Sequence, residues 1–171
     1  MKRPLILALI SLILATACVP FPRNLVRDAQ PAVSVFDVQK EPDRYRGKVV
    51  IWGGVVIEAL NLRDETVLKV MQTDLDFQKR PTNTASSPGR FLVRCKGFLD
   101  PYIYSKGREI TVAGVIIGKE EQKIGEILYA YPVLEAQEIR LWEEKQDPRY
   151  WGPPYGWGYP YPWWPEYPYW W

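Results

Sequence analysis

The chain has 171 residues, enough for one domain and a small appendage. Its 22 Lys and Arg against 20 Asp and Glu leave a charge of +2 that Lys2 and Arg3 supply alone, so residues 18–171 are neutral and lack the footprint of a nucleic-acid binder. There is no histidine and there are two cysteines, Cys18 and Cys95, which excludes His-dependent nucleophiles, His-based metal sites and four-Cys zinc sites.

Residues 1–4 are a short cationic start, and Leu5 to Ala17 follow as 13 uncharged residues, mostly Leu, Ile and Ala. Thirteen helical residues span roughly 20 Å, short of the ~30 Å hydrocarbon core, so the run suits a signal peptide better than a membrane span. It ends in Leu14-Ala15-Thr16-Ala17-Cys18, which resembles the lipobox of bacterial lipoproteins. In that family the cysteine thiol takes a diacylglyceryl group, the chain is cut before it, and the new amine is acylated. The resemblance implies a signal peptide over 1–17, cleavage between Ala17 and Cys18, and covalent lipid on Cys18. Ala15 stands where the family prefers Leu. Val19 stands where an Asp would retain such proteins in the inner membrane, so the outer membrane is the implied address. The alternative is an ordinary secreted protein cut near Ala17 with a free Cys18.

Residues 18–33 carry Pro20, Pro22 and Pro31 and read as a lipidated start with an extended tether, able to hold a domain up to about 50 Å from the lipid. Ser34-Val35-Phe36-Asp37 suits a helix cap, with a short helix ending before Pro42. The period then changes to two. Strands are expected over 47–60, 66–73, 91–96, 108–117, 127–133 and 136–142, with a hairpin tip at Lys119 to Glu126 and a loop at Gln78 to Gly89.

Gly47 to Ile57 echoes Gly107 to Ile117 in residue class. In both, three apolar residues share one face with a mid-strand glycine, Gly54 or Gly114. A glycine there marks a bend or bulge, and two such strands are what a small closed barrel needs in order to coil. The expectation for 34–146 is therefore a mainly β domain: a five- to six-stranded OB-like barrel with a short helix and an irregular link at Gly97 to Lys106.

From 147 to 171 the composition shifts to six Trp, six Tyr, seven Pro and three Gly in 25 residues, an irregular aromatic tail that cannot form a strand, helix or second core. Trp and Tyr favour membrane headgroups and also stack on sugar rings. Trp151, Trp157, Trp163, Trp164, Trp170 and Trp171 are thus candidates for membrane or surface contact.

Candidates for catalysis are weak. Asp74 with Asp76, Glu120 with Glu121, and Glu143 with Glu144 are the carboxylate pairs, and each reads better as a solvated face than as a pair across a cleft. Gly53-Gly54 lacks the Lys-Ser/Thr of a phosphate loop. Cys95, alternating with Phe91 and Val93, reads as a buried structural thiol. Trp52, Phe91 and Tyr102 are conceivable as a stacking platform, although strand aromatics usually fill a core. No catalytic residue, no metal and no cofactor beyond the lipid on Cys18 is expected.

Gly89-Arg90-Phe91-Leu92 and Phe98-Leu99-Asp100-Pro101 resemble the Slp family of outer-membrane lipoproteins. So do Tyr45-x-Gly47 with Gly53-Gly54, the run Gly107-Arg108-x-Ile110-Thr111-Val112-x-Gly114, and the stretch from Tyr131-Pro132 to Trp142. The likeness covers roughly 18–146. It implies a non-enzymatic, lipid-anchored protein of the outer membrane, associated with starvation or stationary-phase stress, with Cys18 as its functional position. The expected partners are outer-membrane lipid and an envelope polymer or membrane protein, not nucleic acid. A binding module for cell-wall glycan or another envelope polymer, working through the tail aromatics, is the alternative.

Overall fold

The computed structural model describes residues 21–30, 33–83 and 85–144. Three short helices come first: α1 (Arg23–Asp28), α2 (Val35–Lys40) and α3 (Pro42–Tyr45). Six strands follow: β1 (Val49–Asn61), β2 (Glu65–Leu75), β3 (Pro81–Thr82), β4 (Arg90–Lys96), β5 (Glu109–Ile124) and β6 (Ile127–Leu141).

The capping residues at 34–37 act as expected. The Ser34 hydroxyl accepts from the Asp37 N–H, and the Asp37 carboxylate accepts from the Ser34 N–H at 2.9 Å. With both ends of the first turn satisfied, α2 forms, and it presents Val35 and Val38 inward. Glu41 ends it just before Pro42, which opens α3 at a position where a missing N–H costs nothing.

The strands close into a barrel in the order β1-β2-β4-β6-β5 and back to β1, with two-residue β3 appended to β2. All pairs are antiparallel except β4 with β6. That ring with its parallel closing pair is an OB-like topology. Val50, Trp52 and Val56 of β1 share the core with Ile110, Val112 and Ile116 of β5, so the echoed segments do present matching faces. Leu68 and Val70 of β2, Phe91, Val93 and Cys95 of β4 and Leu134 of β6 complete it, and Val35 and Val38 plug one end.

The mid-strand glycines sit where the barrel is tightest. A Cβ on Gly54 would fall on the Met71 carbonyl oxygen of β2, and one on Gly114 would lie 2.6 Å from the Glu135 carbonyl oxygen of β6. Both strands also carry bulges: Ile57 lies between the paired residues Val56 and Glu58, and Ile117 lies between the paired residues Ile116 and Gly118. Gly47 and Gly107, which open the two echoed strands, both take positive φ, +80° and +95°, so the echo extends to the turns that launch them.

Three expectations need correction. The segment read as an extended tether is partly folded: Phe21 is buried, residues 23–28 are helical, and the Gln30 N–H donates to the Val49 carbonyl at 2.9 Å. Pro22 does not prevent this, because it sits at the N-cap, where no intrahelical N–H is needed. Lys119 to Glu126 is not a hairpin tip. β5 continues to Ile124, which pairs with Ile127, and only Gly125 and Glu126 turn. Exposure alternates along 119–124, so Lys119, Glu121 and Lys123 form the solvent side of a β arm and Glu120, Gln122 and Ile124 its half-buried side. Finally, 127–133 and 136–142 are one strand, bulged at Gln137 opposite the Ala113–Gly114 step. The arm is held down by a second cluster of Leu92, Tyr131 and Val133 with Val67, Ile117, Ile124 and Tyr129.

Candidate functional site

The carboxylate pairs do not converge. Asp76 is a turn former, accepting from the Gln78 and Arg80 backbone N–H groups at 2.8 and 2.9 Å. Asp74 lies in β2 opposite Thr82. Glu120 accepts from Arg94 at 3.3 Å and from Gln122 at 3.0 Å, whereas Glu121 faces solvent. Glu144 pairs with Arg108 at 3.7 Å, and the Glu143 backbone carbonyl accepts from Arg80. No cluster of three metal-ligating side chains occurs among the described residues.

Cys95 is 4% exposed in the core, and burial, with Glu65 adding to it, pushes its thiol up to about 12. A thiol so resistant to ionisation is a packing group, not a nucleophile. The stacking platform does not form. Trp52 and Phe91 meet edge to face inside the barrel, 5.2 Å between centroids, and the Trp52 Nε1–H donates to the Val33 carbonyl. Tyr102 is 88% exposed on the link after β4.

The two ends of the barrel differ. At one end α2 fills the opening, and the chain from α1 enters beside Val49. A shallow groove of about 530 Å³ lies there between Val26, Ala29 and Val33 on one side and Trp52, Leu75 and Lys79 on the other. Among the described residues its charged lining groups are Asp74 and Lys79, which are not a pair of acids for proton transfer.

At the other end the chain leaves the barrel. Trp142 is buried just past β6, its N–H bonded to the Glu109 carbonyl and its Nε1–H to Thr111 Oγ1 at 2.9 Å. The Arg140 and Arg80 guanidinium groups lie 4.2 and 5.5 Å from its ring centroid. Arg80 reaches there because Gly53 has no side chain: Leu75 fills the space a Cβ would take, and the turn after β2 crosses β1 at that point. The Arg80–Glu109 pair at 2.9 Å locks the crossing. Trp142 thus clamps the chain exit, a role that sequence reasoning missed because its partners other than Arg140 lie 31 to 62 residues away. From Val49, beside the entry, to Val55, opposite Glu109 near the exit, β1 advances six residues, about 20 Å.

Cys18, Ala17 and the six tail tryptophans (Trp151, Trp157, Trp163, Trp164, Trp170, Trp171) lie outside the described residues. Among the described residues no helix is long and apolar enough to cross a membrane.

The model of the outer membrane lipoprotein Slp family matches residues 15–170, from the segment before Cys18 through the aromatic tail. The chain belongs to the Slp family. It is 33% identical over 147 residues to the outer membrane protein Slp of Escherichia coli K12, covering 85% of this chain and 77% of that one. It is 30% identical to the uncharacterized lipoprotein YeaY of the same organism, covering 84% and 81%. An uncharacterized Haemophilus influenzae protein is 30% identical, covering 74% and 69%. A small single-stranded DNA-binding protein from Streptomyces coelicolor superposes with a TM-score of 0.37 at 13% identity, over 56% of this chain and 94% of that one. As a Slp-family lipoprotein the chain is a protein of the outer membrane.

Proposed function

We propose that the chain is a non-enzymatic, stress-associated lipoprotein that holds an OB-like barrel directly against the outer membrane through acyl groups on Cys18. The observation that carries this reading is the burial of Phe21 (2% exposed). Only Val19 and Pro20 separate it from Cys18, so a lipid on Cys18 can stand no more than about 10 Å from the folded domain. Such an anchor is short. Three acyl chains at ~0.8 kcal/mol per buried methylene are more than stable membrane attachment requires. The scattered carboxylates and the inert Cys95 leave no constellation for turnover among the described residues. Fractionation tests the anchor: Cys18→Ser should release the protein from membranes or block its processing. Membrane retention of a correctly cleaved Cys18→Ser protein overturns the reading.

A second reading gives the tail a polymer to bind. Its support is the aromatic composition of residues 147–171 together with a chain exit some 20 Å along β1 from the chain entry. Binding of the mature chain to isolated cell wall, lost on truncation at Gln146, is the expected result. Equal binding after truncation removes this reading.

A further inference from the structure

Ten large apolar side chains are exposed among the described residues, and five of them cluster at one end of the barrel: Leu60 at the end of β1, Leu62 in the loop that follows it, and Phe98, Tyr102 and Ile103 in the link between β4 and β5. The remaining five are spread over α1, α2, the turn after β2 and the tip of the β5–β6 arm. The two loops are stitched together. The Gly97 N–H donates to the Asp64 carbonyl at 3.1 Å, Thr66 Oγ1 donates to the Gly97 carbonyl, and the Leu99 N–H donates back to Thr66 Oγ1 at 2.9 Å. Their apolar side chains therefore sit on one fixed rim. Fixed, solvent-facing apolar clusters on a soluble domain mark a surface that something covers.

The chain leaves the barrel at this same rim. One guanidinium, that of Arg108, donates to the Ile103 carbonyl at 3.2 Å and to the Trp142 carbonyl at 3.1 Å, and it pairs with Glu144. Tyr102, Ser105 and Arg108 line a common groove with Glu143 and Glu144.

We propose that the apolar rim is the seat of the chain's own C-terminal segment, residues 147–171, which folds back over the end of the barrel that it leaves. Length permits this: Trp151 follows Glu144 by seven residues, a reach of about 23 Å when extended. Composition favours it. The segment holds six Trp and six Tyr but only Asp147, Arg149 and Glu166 as charges, so it matches an apolar seat and not a charged one. Covalent linkage favours it further, because a short tether holds the segment at about millimolar effective concentration over the rim. Docking removes two apolar surfaces from water at once. The proposal goes beyond the anchoring function and does not depend on lipid at Cys18.

Photocrosslinking of the full chain in cells tests it. With Tyr102→p-benzoylphenylalanine, irradiation should give a product of monomer mass in which position 102 is joined to a peptide from 147–171. Phe36→p-benzoylphenylalanine, 52% exposed on α2 at the opposite end, should give no such product. Adding Leu62→Asp and Phe98→Asp to the Tyr102 variant should abolish the tail crosslink while leaving the circular dichroism spectrum unchanged, since both side chains are exposed. Absence of a tail crosslink from position 102 overturns the proposal. So does joining of position 102 to a second copy, another protein, lipid or glycan in its place. Failure of the anchoring reading appears separately, as protein in the soluble fraction, whatever position 102 captures.

Discussion

Placing a methyl group on Gly54 or Gly114 tests whether the barrel is closed as tightly as its register indicates. On Gly54 the new carbon falls on the Met71 carbonyl oxygen and lies 2.8 Å from its carbon and 2.9 Å from Val70 Cγ1. Backbone of the paired strand cannot swing aside, so β1 and β2 must part where Gly54 faces Gln72. On Gly114 the clash is milder: 2.6 Å to the Glu135 oxygen and 3.3 Å to its carbon. Overpacking of this kind costs about 1–3 kcal/mol. Gly114→Ala belongs in that range and Gly54→Ala at or above its top. For a chain of this size each kcal/mol lowers Tm by about 3 °C, so Gly114→Ala should melt roughly 3–9 °C below the parent and Gly54→Ala lower still. Gly125→Ala is the control. Its Cβ meets open space, and only its φ of +60° is unfavourable, a strain of about 1 kcal/mol partly offset by reduced freedom of the unfolded chain. Thermal unfolding followed by circular dichroism on lipid-free mature chain carrying Cys18→Ser gives the order. If Gly54→Ala and Gly114→Ala both melt within about 2 °C of Gly125→Ala, the strands do not cross so closely and the closed barrel is wrong.

Cys95 predicts a pH dependence. Burial raises its thiol from an ordinary 9.0 to about 12. Below pH 9 folded and unfolded chains both keep the proton. Between 9 and about 12 only the unfolded chain loses it, so stability should fall across that window by about 4 kcal/mol from this group, and Cys95→Ala should flatten part of the decline in urea titrations. Tyr104, also raised by burial, contributes to what remains. A thiol reagent at neutral pH should label Cys95 only after unfolding, and prompt labelling of the native chain would place the thiol at the surface. Ser34→Ala removes the cap of α2 and should cost about 1 kcal/mol in the same titrations; no change would mean that the cap does not hold the plug. Trp142→Phe keeps the ring between Arg80 and Arg140 but leaves Thr111 Oγ1 without its indole donor, a loss of about 1 kcal/mol. A neutral result there would detach the exit clamp from the fold.

Features written in short-range pattern were legible in the sequence. Ser34 with Asp37 announces α2 because a capping box is closed within four residues. Phe91, Val93 and Cys95 alternate with a period that only one buried strand face explains. The echo between Gly47–Ile57 and Gly107–Ile117 pairs two strands that lie side by side in the barrel, β1 and β5. What was hidden depends on distance along the chain or on charge. Phe21 stands between two prolines and gives no periodic signal, so nothing in the local pattern marks its docking. The arm from Lys119 to Ile124 carries four charges and passes for a loop until its partner strand is known. The Trp142 clamp joins β6 to a turn some sixty residues earlier across Gly53. The rim is assembled from loops more than thirty residues apart, and no local motif marks it. Of the candidate functional positions, Cys18 rests on a contiguous motif that lies outside the described residues.

The measurement closest to the central claim is intact-mass analysis of the N-terminal peptide from protein isolated with the outer membrane. A lipoprotein held against the bilayer through Cys18 requires a peptide that begins at Cys18 and carries three acyl chains. A peptide that begins elsewhere, or that contains Cys18 with an unmodified thiol, contradicts the account.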